Sequence, residues 1–92
     1  MVASFRHRGL EAFWQTGSKA GIDAQMTTRI GARLTALHSA TRPEDMNLPG
    51  FNFHRLSGDR VGTFTIHVNG PRCITFGWSG GDAIDVDLEN YH

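Results

Sequence analysis

A single cysteine, Cys73, leaves no internal disulfide to form, so the thiol content gives no sign of an oxidising compartment. No apolar run approaches the roughly 18–20 residues needed to cross a bilayer. The opening Met1-Val2-Ala3-Ser4-Phe5-Arg6-His7-Arg8 meets charge where a signal sequence needs an apolar stretch. Together these absences read as a cytoplasmic protein with no membrane partner. Net charge is also lacking: nine Lys and Arg balance nine Asp and Glu. That balance argues against a non-specific nucleic-acid coat, while leaving room for a local basic patch. The charge is unevenly spread, because residues 61–92 hold only Arg72 against Asp82, Asp85, Asp87 and Glu89. A solvated acidic strand face explains that as well as any functional reading. Repeats, linkers and low-complexity segments are missing too, so residues 1–92 read as one domain.

Metal and nucleophile signatures are equally scarce. His7, His38, His54, His67 and His92 show no paired ligand spacing, and neither C-x-x-C nor H-x-x-x-H occurs. No metal or other cofactor is expected. Cys73, isolated on a strand, reads as a buried small hydrophobe. Trp78-Ser79-Gly80-Gly81-Asp82 reads as a hairpin turn rather than a phosphate-binding loop.

Apolar area is present in ordinary amount. Six Phe, two Trp and one Tyr, within 39% hydrophobic residues, are enough to offset chain entropy in a domain of this size. Val2 to Phe5 forms a short strand candidate. Leu10, Phe13 and Trp14 then fall on one helix face, closed by Thr16-Gly17. Asp23 is placed to cap a second helix, whose stripe is Met26, Ile30, Leu34 and Leu37, with Arg29 and Arg33 beside it. Thr41-Arg42-Pro43-Glu44 matches a capping box for one further turn.

From residue 51 the period becomes two. Strands are expected at Phe51 to Leu56, Thr63 to Val68, Cys73 to Trp78 and Ala83 to Leu88. In the last, Ile84, Val86 and Leu88 are expected to point one way, with Asp85, Asp87 and Glu89 the other. The fold class is therefore α+β: an N-terminal strand, a two-helix hairpin, then a mostly antiparallel sheet of about four strands with both helices on one face.

The chemistry gathers late in the chain. Polar tails are usually dispensable, yet here Asn90-Tyr91-His92 follows a strand directly. Histidine moves protons near neutral pH, and tyrosine can stack on an unpaired base. His54 lies on an earlier strand beside Arg55, with Arg60 just past the next turn. Two histidines, a tyrosine and arginines suit RNA cleavage through the 2′-hydroxyl, which needs one group to remove a proton, one to return it, and cations for the phosphorane. Which histidine is base and which is acid stays open.

The same residues resemble the HigB-type toxins of the RelE/ParE superfamily, the toxic half of type II toxin–antitoxin pairs. The resemblance runs nearly end to end. It covers Ser4-Phe5-Arg6-His7-Arg8-Gly9-Leu10-Glu11, Thr16-Gly17-Ser18-Lys19 and Ala36-Leu37-His38-Ser39-Ala40-Thr41. It continues through Leu48-Pro49-Gly50, His54-Arg55-Leu56-Ser57-Gly58-Asp59, Val68-Asn69-Gly70, Ile74-Thr75-Phe76 and Tyr91-His92.

The resemblance implies a helix pair on a sheet, mRNA cleavage on the translating ribosome, and a helix-turn-helix (HigA-like) antitoxin through which operator DNA is contacted. By position it assigns catalysis to His54, Tyr91 and His92, with Asn90 where an Asp is frequent. Asn90 can hydrogen-bond but cannot take a proton at neutral pH. Arg55, Arg60 and Arg72 are the expected RNA contacts. Ser57 stands where some members carry Lys. Cys73 occupies a strand position that is often Arg, one residue after Arg72, and one residue on a strand reverses the face. Two other readings compete with the nuclease: a gyrase inhibitor of ParE type, and a weakly active or non-catalytic partner of the antitoxin's repressor complex.

Overall fold

His7 starts the first helix. In a computed structural model, which describes residues 1–90, its ring Nδ1 accepts the backbone N–H of Leu10 at 3.0 Å and so caps α1 (Arg8–Thr16). Gly17 ends that helix in the left-handed region, at φ 78°, donating its N–H to the Phe13 carbonyl. Asp23 caps as well, but one turn early. Its carboxylate accepts from Gln25 N at 2.9 Å and opens a short 3₁₀ turn, Ala24–Met26, that runs into α2 (Thr27–Ser39). The expected stripe is the core stripe: Met26, Ile30, Leu34 and Leu37 are all buried.

Arg33 lies deeper than a residue beside the stripe. It is buried, donates from Nε to the His67 carbonyl at 2.6 Å and lies over the Phe51 ring. Arg29 donates to the Val68 carbonyl. These two arginines fasten α2 to the sheet.

The cap of the turn after α2 is shifted by one residue from the expected box. Asp45, not Glu44, reaches back, accepting from the N–H and hydroxyl of Thr41 and from the Arg42 N–H. The turn is Pro43–Met46, and Glu44 is left free to pair with Arg55.

The sheet is an antiparallel meander in the order β1-β2-β3-β4: β1 (His54–Arg55), β2 (Phe64–Asn69), β3 (Arg72–Ser79) and β4 (Asp82–Asn90). The expected strand from Phe51 to Leu56 shrinks to two residues, because Asn52 sits at φ 47° and breaks the extended run. The N-terminal segment forms only isolated parallel bridges along β4, Val2 with Ala83 and Phe5 with Val86.

One sheet face, with Ile66, Val68, Ile74, Phe76, Val86 and Leu88, meets Leu10, Ile30, Leu34, Leu37 and Met46 to form the core. A bulge in β4 sets which residues reach it. Thr75 pairs with Asp87 and Gly77 with Ile84, so Asp85 and Val86 together stand opposite Phe76. Asp85 takes φ 53°, and its N–H donates to the Ser4 hydroxyl. Ile84 and Val86 consequently point to opposite faces, which corrects the simple alternation: Val86 enters the core while Ile84 lies beside Gly77 on the far face.

Candidate active site

The far face of the sheet carries a polar column. His54 stands opposite Thr65, Thr65 opposite Thr75, and Thr75 opposite Asp87; the neighbouring row is His67, Cys73 and Glu89. Residues that pair directly across antiparallel strands share a face, so the column follows from the register. Over it folds the loop that joins β1 to β2, in which Gly58–Arg60 makes a 3₁₀ turn.

Between loop and sheet lies a cleft of about 470 Å³, within the ~300–1,000 Å³ range of small-ligand sites. Ser57 and Arg60 line it from the loop, Thr65, Cys73 and Thr75 from its floor, and Glu89 and Asn90 from the end of β4. A smaller hollow of about 40 Å³, with His54 in its wall, adjoins it through Thr65 and Cys73, which line both.

The cleft also holds a charged cluster to which the sequence pattern does not point. Arg60 grips Glu89 end on, Nη1 to Oε1 at 3.0 Å and Nη2 to Oε2 at 2.8 Å. The buried Thr75 hydroxyl donates to the same Oε2 at 2.5 Å. The hydrogen bonds from Arg60 hold the Glu89 carboxyl below its usual range, against the opposing effect of burial and with help from Thr75. The same bonds push the Arg60 guanidinium up. The sequence pattern groups Glu89 with Asp85 and Asp87 on a solvated face, yet it stands in the cleft.

The expected site residues are brought together only in part. His54, Arg60 and Asn90 are brought to the cleft or its adjoining hollow. Arg55, one residue on from His54, points the other way, over the Phe64 ring and onto Glu44. Arg72 pairs in register with Asn90 at the sheet end. Tyr91 and His92 lie outside the described residues. Cys73 is buried, as a small strand hydrophobe should be. Among the described residues no group of three His, Cys, Asp or Glu side chains could hold a metal ion, and no helix is long and apolar enough to cross a membrane.

Residues 3–92 match the family of HigB-like toxins, described as RelE-like toxins of type II toxin–antitoxin systems. The chain belongs to that family. The endoribonuclease HigB of Proteus vulgaris is 38% identical to it over 92 residues, an alignment that spans both chains completely. The resemblance read from the sequence is thereby met, as is the fold of two helices on a four-stranded antiparallel sheet. Membership also pairs this toxin with an antitoxin.

Proposed function

We propose that this HigB-like toxin is a ribosome-dependent mRNA endoribonuclease. The observation that carries the reading is the cleft on the far face of the sheet: Arg60 stands over it, Asn90 lines its end directly before Tyr91 and His92 in sequence, and His54 lines the hollow that adjoins it. The similarity to the Proteus vulgaris endoribonuclease HigB over the whole length supports the same reading.

In the proposed reaction one of His54 and His92 takes the 2′-hydroxyl proton. The O2′–P bond then forms as the P–O5′ bond breaks, and the other histidine protonates the leaving 5′-oxygen. Products are a 2′,3′-cyclic phosphate and a 5′-hydroxyl. Tyr91 stacks on a neighbouring base, and Asn90 donates a positioning hydrogen bond. Arg60 stabilises charge on the phosphorane. Arg55 and Arg72, away from the cleft floor, contact phosphates of flanking nucleotides. The antitoxin in this reading is a helix-turn-helix (HigA-like) protein that also carries the operator contacts.

Mapping mRNA 5′ ends after brief induction tests the proposal. New ends within translated transcripts should appear with the wild type and vanish with His92→Ala. Intact transcripts alongside broken chromosomes would assign the toxin to gyrase instead.

A further inference from the structure

Glu89 is an unusual neighbour for a phosphate-binding cleft, because an anion at the active site should repel the substrate. Three explanations are open to a carboxylate there: a general base, a competitor that withholds Arg60 from RNA, or a positioning group. The geometry separates them.

A base needs a lone pair aimed at the substrate and a pKa near the working pH. Both Glu89 oxygens are already accepting, Oε1 from Arg60 and Oε2 from Arg60 and Thr75, and those contacts hold its pKa down. A competitor would have to occupy all of the guanidinium's useful donors. The end-on fork takes one N–H from each terminal nitrogen. It leaves Nε–H and the outer N–H groups for a second, side-on acceptor.

Positioning remains. Thr75, buried in mid-strand on β3, fixes Glu89, and Glu89 in turn fixes a cation carried on a surface loop. Without that chain of contacts Arg60 would be a long side chain on a short 3₁₀ turn, free to sample many rotamers. Resting on the nuclease reading above, we infer that Thr75 and Glu89 are positioning residues that preset Arg60 for the scissile phosphate, Glu89 bridging the loop to the strand that leads into Tyr91-His92. Arg60 thus holds a carboxylate with one edge and presents the other to RNA.

The test is mRNA cutting on programmed ribosomes, with kcat and KM for the ribosome complex separated. Glu89→Gln should lower kcat about 10- to 100-fold, the cost of a displaced catalytic contact, and move KM about 3-fold or less. Combining it with Arg60→Ala should slow cutting no further than Arg60→Ala does, because both changes remove one function. Thr75→Val should fall the same way, and Thr75→Ser, which keeps the donor, should recover most of the rate. This second pair carries the test if Glu89→Gln melts below the assay temperature.

The pH profile of Glu89→Gln should keep its acidic limb, since a positioning carboxylate is not the base. Loss of that limb would make Glu89 the base and overturn the inference. Unchanged or faster cutting by Glu89→Gln would overturn it too, leaving the nuclease assignment intact. A folded wild type that cuts no mRNA would overturn both.

Discussion

Arg60 and Glu89 meet end on across 29 residues of chain, at 3.0 and 2.8 Å, and tie the cleft-covering loop to the last strand. The pair has a measurable consequence for stability. Glu89 is about three-quarters buried, and Arg60 holds its carboxyl below the ordinary value of about 4.5. The folded chain therefore binds this proton less readily than the unfolded one. The stabilisation is complete above the unfolded pKa and is lost as pH falls through the lower, folded one. Asp45 is shifted the same way by its bonds from Thr41 and Arg42, so the wild-type curve carries both groups. The melting difference between wild type and Glu89→Gln isolates Glu89. It should be constant from about pH 8 to 5 and shrink below about pH 4.5; a gap unchanged down to about pH 2 would contradict this.

Gly9 and Gly21 bring the start of α1 against the connection to α2. A Cβ on Gly9 would lie 2.4 Å from the Gly21 carbonyl oxygen, and one on Gly21 would lie 2.7 Å from Gly9 Cα. Alanine is the better helix former by ~1 kcal/mol, but here it meets rigid backbone. Gly9→Ala should cost about 1–3 kcal/mol, at roughly 4–8 °C of melting temperature for each. A raised melting temperature would refute the close approach.

The overall plan was legible because periodicity reports it. The stripe through Met26, Ile30, Leu34 and Leu37 and the alternation after residue 51 each mark an element with one buried face. Less legible was where one strand stands against the next. A regular hairpin through Ser79-Gly80-Gly81-Asp82 would set Thr75 opposite Val86 and Ile74 opposite Asp87, each a polar residue against an apolar one. The bulge at Asp85 restores the match, pairing Ile74 with Leu88 and Cys73 with Glu89. Only that one-residue shift moves Glu89 beside Thr75 and under Arg60. The sequence points to His54 by its residue type and to Asn90 by its place before Tyr91-His92, whereas Glu89 looks like one more charge on an acidic strand. Adjacency in sequence groups Arg55 with His54, but neighbours on a strand point to opposite faces.

That division of the arginines predicts two kinds of defect. Arg60→Ala should lower kcat about 10²-fold or more, as loss of a charge-stabilising donor does. Arg55→Ala and Arg72→Ala should mainly weaken binding, each flattening the salt dependence of RNA affinity by about one single-stranded phosphate contact, a slope change of ~0.7. Equal loss of kcat in all three would contradict the placement.

Cys73 lines both hollows, but it is buried and is assigned no part in the chemistry. Cys73→Ala should leave cutting within about 2-fold of wild type and cost roughly 1 kcal/mol of stability, as a small cavity does. A 100-fold loss of rate in a folded variant would make the thiol a participant.

The central claim, RNA cleavage by histidine chemistry that needs the residues after Asn90, is met most directly with purified protein and ribosomes programmed with a defined mRNA. The wild type should cut that mRNA, leaving a 5′-hydroxyl on the downstream fragment. A chain ending at Asn90, shown to be folded by its melting curve, should leave it intact. Undiminished cutting by the shortened chain would contradict the account.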